Sequence, residues 1–285
     1  MTRMQTLAAR LNEMCNELPF HTGWRLKDVS SGETCHLNGD VVVPSASTRK
    51  IAILIAALKA VNQGKLSLDQ PFVVQSKYQN NDSGCFQHLT PGFAITLQDA
   101  LVMMIIVSDN TCTGAVSDIV GLDNVNALCQ SIGMKGTNHL VGLPPLGLGR
   151  NHSLDQVNTT TPNDVGLLLD LILQGSSDPG AAEKLGCTTE LCQLAIDILS
   201  WQKLRNKLPA LLPLGTKVAH KTGTGYESRT INDAGIIYQG NEPLFILSAY
   251  MENVPVELPD GQAGHASASA LIARMCRECY DVLKR

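Results

Sequence analysis

Val41-Val42-Val43-Pro44-Ser45-Ala46-Ser47-Thr48-Arg49-Lys50-Ile51-Ala52-Ile53-Leu54-Ile55-Ala56-Ala57-Leu58 is the stretch on which the fold turns. Three valines favour an extended chain, and the proline, with no N–H to give a ladder, closes that segment. A long apolar helix is predicted to open near Ser47 and to reach about Asn62. Its apolar run, Ile51 to Leu58, is far too short to span a bilayer. One switch from strand to helix therefore separates two textures of sequence.

Upstream, an amphipathic helix marked by Leu7, Leu11, Met14 and Leu18 precedes an extended run from Gly23 to Val29. The turn Ser30-Ser31-Gly32-Glu33 leads to a second run, Thr34 to Leu37, so a β-hairpin is expected behind the helix. Downstream, from about Ile51 to Pro209, the signals are helical: Leu97–Val107, Cys112–Val120, Leu122–Ser131, Pro162–Gln174 and Thr188–Lys207. Pro162 stands behind three threonines, an acceptable first helical position. After Pro213 strands return at Lys217–Lys221, Ala234–Tyr238 and Leu244–Tyr250, and a last helix runs from about His265 to Leu283. The fold class implied is α/β plus all-α: an antiparallel sheet flanked by N- and C-terminal helices, with an inserted helical lobe. Residues 1–50 and 210–285 would form the α/β lobe, and 51–209 the helical lobe. The pair would make one catalytic unit, with the site where the lobes meet.

The chain has 285 residues, 44% hydrophobic and 17% charged, with 26 acidic against 22 basic side chains. A slight negative charge argues against a phosphate-backbone binder, and 4% aromatics leave little for stacking on nucleic-acid bases. The polar N-terminus has no unbroken apolar core of the secretory kind, so a cytoplasmic protein is expected, with no membrane partner. Nine cysteines, an odd number, are expected to be mostly free thiols. Cys187/Cys192 and Cys276/Cys279 form close pairs. The second has C-x-x-C spacing but lies in a predicted helix without a second pair, and reads as helical thiols. The seven histidines are scattered, so no metal and no cofactor is expected. Nothing in the sequence sets the oligomeric state.

Three short motifs carry chemistry. In Ser47-Thr48-Arg49-Lys50 the three-residue spacing puts a hydroxyl and an amine on one face of a first helical turn, a nucleophile with its own base. The pattern alone is weak, since it recurs at Ser200-Trp201-Gln202-Lys203, and a helix N-cap is the plain alternative for Ser47. Ser108-Asp109-Asn110 follows an apolar helix, and Lys221-Thr222-Gly223-Thr224 lies on a strand. Asp109 is expected to cap the helix that follows it, and His220 to face away from Lys221 by strand alternation.

Together Pro44 to Lys50, Met104 to Thr111 and Val218 to Thr224 resemble the three motif blocks of class A β-lactamase-like serine hydrolases and penicillin-binding proteins. Thr159-Thr160-Thr161-Pro162 is similar to the segment that closes the family's Ω-loop, here about 140–162. The resemblance implies that Ser47 attacks a carbonyl and Lys50 takes its proton. Ser108 would pass a proton to the departing nitrogen, held by Lys221, whose charge also attracts a substrate carboxylate. Asn110 would bond Lys50 and the substrate's amide, Thr222 and Thr224 the carboxylate, and the N–H groups of Ser47 and Thr224 would form the oxyanion hole beside Gly223. Arg229 would supply a second carboxylate contact. The partner implied is a small molecule with a carbonyl and a carboxylate.

One departure stands out. Counting back from Pro162 along the family's spacing to its water-activating glutamate lands on Pro144 or Pro145, and no glutamate occurs between Ala115 and Ala182. Acylation should survive, because Lys50 can act as base, whereas fast hydrolysis of the acyl-enzyme should not. Substitute bases in the segment are His139, His152 and Asp155. Three readings follow: an active serine hydrolase with weak or atypical β-lactamase activity, a penicillin-binding or peptidase-like acyl-enzyme that releases slowly, and a non-catalytic binding protein. A glutaminase-like serine enzyme fits the last two motifs less well.

Overall fold

The computed structural model describes residues 2–285. Helix α1 (Arg3–Asn16) is opened by a reciprocal cap between Thr2 and Gln5 and buries Met4, Leu7, Leu11 and Cys15 along one face. Strands β1 (His21–Asp28) and β2 (Thr34–Leu37) form the expected hairpin. After β3 (Val43–Pro44) the chain enters a 3₁₀ turn at Ala46–Arg49, and only then α2 (Lys50–Asn62). Strands β4 (Pro71–Val73) and β5 (Ala94–Thr96) pair with each other, and α3 (Leu97–Ile106), α4 (Asn110–Val120) and α5 (Leu122–Ser131) follow. Next, β6 (Thr159–Thr160) pairs with β3 and leads into α6 (Pro162–Gly175), where Pro162 is the first helical residue behind the Thr161 cap. Helices α7 (Pro179–Lys184) and α8 (Thr189–Ser200) precede β7 (Val218–Thr224), β8 (Ile231–Gln239), β9 (Glu242–Glu252) and α9 (Gly264–Leu283).

The five-stranded sheet has the order β2-β1-β9-β8-β7, every neighbour antiparallel. Both its faces are covered. Trp24, Leu26, Phe245, Leu247 and Met251 on one side pack with α1 and α9, and Ala234, Ile236, Ile246 and Tyr250 on the other join the core of the central helices. Alternation along β8 and β9 thus sends neighbouring residues into two different cores. No helix among the described residues is long and apolar enough to cross a membrane. All nine cysteines are free thiols, and Cys276 and Cys279 face the core from α9.

Two expectations need correction. The helix expected from Ser47 begins three residues later, at Lys50, because the chain first tightens into the 3₁₀ turn. The helix expected to reach Lys207 ends at Ser200, where the chain turns to cap α3. There Gln202 Nε2 donates to Ile105 O at 2.9 Å and Lys203 N to Ile106 O at 2.9 Å, satisfying carbonyls that α3 leaves open.

Candidate active site

The turn that carries Ser47 is held in an unfavourable conformation. Ala46 has φ 44°, a left-handed geometry that costs an alanine about 1–2 kcal/mol. Four contacts hold it: Thr48 Oγ1 donates to Ser45 O (2.6 Å), Tyr250 OH to Thr48 Oγ1 (2.9 Å), Ser45 Oγ to Asn158 O (3.0 Å) and Asn232 Nδ2 to Pro44 O (3.1 Å). At about 1 kcal/mol net each, these bonds outweigh the strain. Ser47 is consequently neither a helix cap nor a buried residue but sits half-buried at the wall of a cleft of about 300 Å³.

Behind that wall lies a layer of buried polar groups. Lys50, 1% exposed, donates from Nζ to Ser108 O (2.7 Å), Ser108 Oγ (3.0 Å) and Asn110 Oδ1 (2.8 Å). Burial pushes its amine well below the ordinary lysine range. The charges of Lys221 and Arg49 push the same way, against Asp109. The neutral, basic form is thus favoured first of all by burial. Ser108 also has a left-handed φ, 57°, and its carbonyl takes a further bond from Ser83 Oγ at 2.9 Å. Asp109 caps α4 through Cys112 N (2.9 Å) and also accepts from Cys85 N and Phe86 N (2.8 Å each), fixing the 83–86 loop against the cleft.

On β7, Lys221 is fully buried and donates to Thr222 O at 2.9 Å. Burial brings its ammonium down to about 7, with the Asp233 carboxylate opposing and the Lys207 charge assisting. Ser108 is therefore held by Lys50, not by Lys221 as expected. Gly223 is where β7 meets the Ser47 turn: a Cβ there would stand 3.2 Å from Ala46 Cβ and 3.3 Å from Ser47 N. Thr224 and Asn110 line the cleft, while Thr222 is buried away from it. His220 turns to the other face and binds Asp233 through Nδ1 at 2.9 Å.

No sequence motif points to Lys207. It is 2% exposed and donates to Gly223 O (2.6 Å), Thr224 Oγ1 (3.2 Å) and Asn232 O (3.1 Å), a buried cation behind the end of β7. Burial lowers it to about 8, against the pull of Asp233. Asp233 also fixes the backbone next to it by accepting from Leu208 N at 3.0 Å.

The loop 140–158 forms the facing wall. Asn158 closes its neck: Oδ1 accepts from Leu140 N (2.6 Å) and Val141 N (3.0 Å), and Nδ2 donates to Val141 O (3.1 Å). Arg49 donates to Val141 O (3.0 Å) and Gly142 O (2.6 Å). Pro144 and Pro145 line the cleft and present no titratable group. Of the three loop candidates, His152 alone reaches the cleft. His139 is buried against Asn126 Oδ1 (3.2 Å), and burial, with the Arg49 charge, lowers it to about 3. Asp155 is exposed and accepts from Ser153 Oγ. Arg229 is occupied otherwise than expected. It ion-pairs with Glu252 at 2.7 Å and donates to Arg150 O (2.9 Å) and His152 O (3.0 Å), fastening the loop to the sheet.

The chain matches the family described as the beta-lactamase enzyme family over residues 6–283. It is 26% identical over 271 residues to β-lactamase CARB-3 of Pseudomonas aeruginosa, covering 93% of this chain and 86% of that protein. Among solved structures, a β-lactamase from Sphaerobacter thermophilus superposes with TM-score 0.80 at 26% identity, covering 97% of this chain and 96% of that one. PBP-A gives TM-score 0.80 at 25% identity, covering 97% and 95%, and a mutant of it is described as an acyl-enzyme complex with penicillin G.

Proposed function

The chain belongs to the beta-lactamase enzyme family and is a serine hydrolase of that fold; from this premise we propose that Ser47 forms an acyl-enzyme with a lactam, amide or ester and releases it slowly. The observation that carries the reading is a buried lysine, Lys50, hydrogen-bonded to Ser108 Oγ and Asn110 Oδ1 directly behind the cleft that exposes Ser47.

Ser47 Oγ attacks the carbonyl carbon while its proton passes to neutral Lys50. The oxyanion is met by the N–H groups of Ser47 and Thr224, which Gly223 allows to stand close together. As the C–N bond breaks, Ser108 gives its proton to the leaving nitrogen and takes one from Lys50 across their 3.0 Å contact, so the amine leaves neutral and Lys50 is reset. A substrate carboxylate lies toward Thr224 and the positive charge of Lys221, with Lys207 behind. Residues 1–50 with 210–285, and 51–209, act as two lobes of one catalytic unit. The nine free thiols fit a reducing compartment and hence a cytoplasmic enzyme.

Weak or atypical β-lactamase activity follows from Pro144 and Pro145 standing where the family's spacing puts a glutamate. The same two prolines favour, as a second reading, a penicillin-binding or peptidase-like acyl-enzyme. A non-catalytic protein would have no physical use for so costly a buried lysine layer. Intact-mass spectrometry with penicillin G and with a fluorophosphonate tests the proposal: a Ser47-dependent mass increase is expected, followed by a nitrocefin burst and slow release. No adduct with either probe overturns it. A panel of lactams, esters and acyl-D-amino acids, read by the same two measurements, then identifies the substrate class.

A further inference from the structure

Release of the acyl group needs a base at the cleft, and five titratable side chains line it: Arg49, Asp82, His152, Tyr226 and Glu227. Arg49 spends its guanidinium on loop carbonyls. Burial pushes the Tyr226 phenol up to about 12, and its hydroxyl donates to Pro145 O at 3.0 Å. Asp82 and Glu227 are exposed at the rim, where bulk water competes for them. His152 differs from all four. Only 8% exposed, it lines the same cleft as Ser47.

Its surroundings hold the ring and favour one tautomer. Nδ1 lies 3.2 Å from Ser153 O, a carbonyl that can only accept, so Nδ1 carries the hydrogen and, in the neutral ring, Nε2 the lone pair. The ring packs edge-on against Tyr226, centroids 5.1 Å apart at 69°. The His152 carbonyl is held by Arg229, itself paired with Glu252. A largely buried ion pair thereby acts on the loop position that carries the imidazole, which accounts for where Arg229 is spent.

We infer that His152 is the base that activates the deacylating water, in place of a loop glutamate. The inference rests on the Ser47 acyl-enzyme. Water oxygen bonds to the ester carbonyl carbon as a water proton moves to Nε2 of His152. The tetrahedral intermediate then collapses, the bond from carbon to Ser47 Oγ breaks, and the proton on His152 goes to Ser47 Oγ. Ester and water become acid and free serine.

The test uses penicillin G and intact-mass time courses on the wild type, His152→Ala and His152→Gln. Adduct formation serves as the check that each variant is folded, the glutamine preserving most of the packing. Release in both variants is expected to fall by about 10²-fold, the usual contribution of a general base. Millimolar imidazole is expected to restore at least about a tenth of the loss in His152→Ala, because the cavity left admits the missing base. Release unchanged in either variant, or lost without rescue by imidazole in the alanine variant, overturns the inference and leaves the acyl-enzyme standing. Failure of the wild type to form any adduct instead overturns the acyl-enzyme reading, and this one with it.

Discussion

The two walls of the cleft are built in opposite ways. One is a buried layer: Lys50, Ser108, Asn110 and Lys221 are each less than 5% exposed and hydrogen-bonded, and they are carried on helices, a strand and a stapled turn. The other is the loop 140–158, whose sole helical piece is a 3₁₀ turn at Leu154–Gln156 and whose shape depends on side chains bonding its carbonyls. The first wall holds groups that make an acyl-enzyme; the second holds those that could destroy one. Making and breaking the ester are therefore separable by mutation, because each depends on a wall with its own supports.

The largest break is expected at Lys50. Lys50→Met keeps the length of the side chain and removes the base, so acylation by penicillin G, followed by mass, should slow by about 10³-fold or more. The loop wall is untouched, and its release of whatever adduct forms should stay within about threefold of wild type. Acylation within tenfold of wild type would mean that Lys50 is not the base.

A middle-sized effect separates carboxylate attraction from chemistry. Lys221 is charged below about 7 and neutral above, so its pull on a carboxylate is present at low pH and lost as pH rises through that value. Lys50 works in the neutral form, so its contribution changes the opposite way and affects every substrate. The ratio of acylation constants for penicillin G and an uncharged ester cancels Lys50. That ratio should fall about tenfold between pH 6 and pH 9, the size of one charged hydrogen bond. A flat ratio would remove Lys221 from carboxylate recognition. Lys207→Met should lower the ratio below about pH 8, where Lys207 is charged, through loss of the cation behind Thr224, and leave it little changed at pH 9.

What could be read from sequence follows the same division. Ser47, Lys50, Ser108, Asn110 and Lys221 lie in short motifs whose spacing is local chemistry, and several stand beside apolar runs that mark buried elements, such as Ile51 to Leu58. Lys207 escaped because it stood in a run read as helix, whereas the chain leaves the helix at Ser200 to cap α3; the burial of Lys207 is settled by Leu208 and Asp233, far apart in sequence. The resemblance gives Arg229 a substrate carboxylate as its partner. Arg229 falls instead between a 3₁₀ turn at Tyr226–Ser228 and the start of β8, with Glu227 and Ser228 both at positive φ, and so turns to Glu252. His139, His152 and Asp155 could not be told apart, since a loop without periodicity does not say which side chains face inward.

The smallest effect on acylation is expected at the neck of the loop, and it bears most directly on whether the walls are independent. Asn158→Ala orphans the N–H groups of Leu140 and Val141, at a cost of about 1–3 kcal/mol, and so should lower the melting temperature by several degrees. The Asn158 backbone carbonyl that holds Ser45 is unaffected, so acylation should stay within about threefold. Release should slow by about tenfold, because the segment that positions His152 has lost its closure while Arg229 still holds its far end. Asn158→Asp keeps both accepted bonds and loses only the donation to Val141 O, so it should recover most of the melting temperature and of the release rate. If Asn158→Ala instead slows acylation as much as release, strain in the loop reaches the Ser47 turn through Ser45, and the two walls form a single mechanical unit.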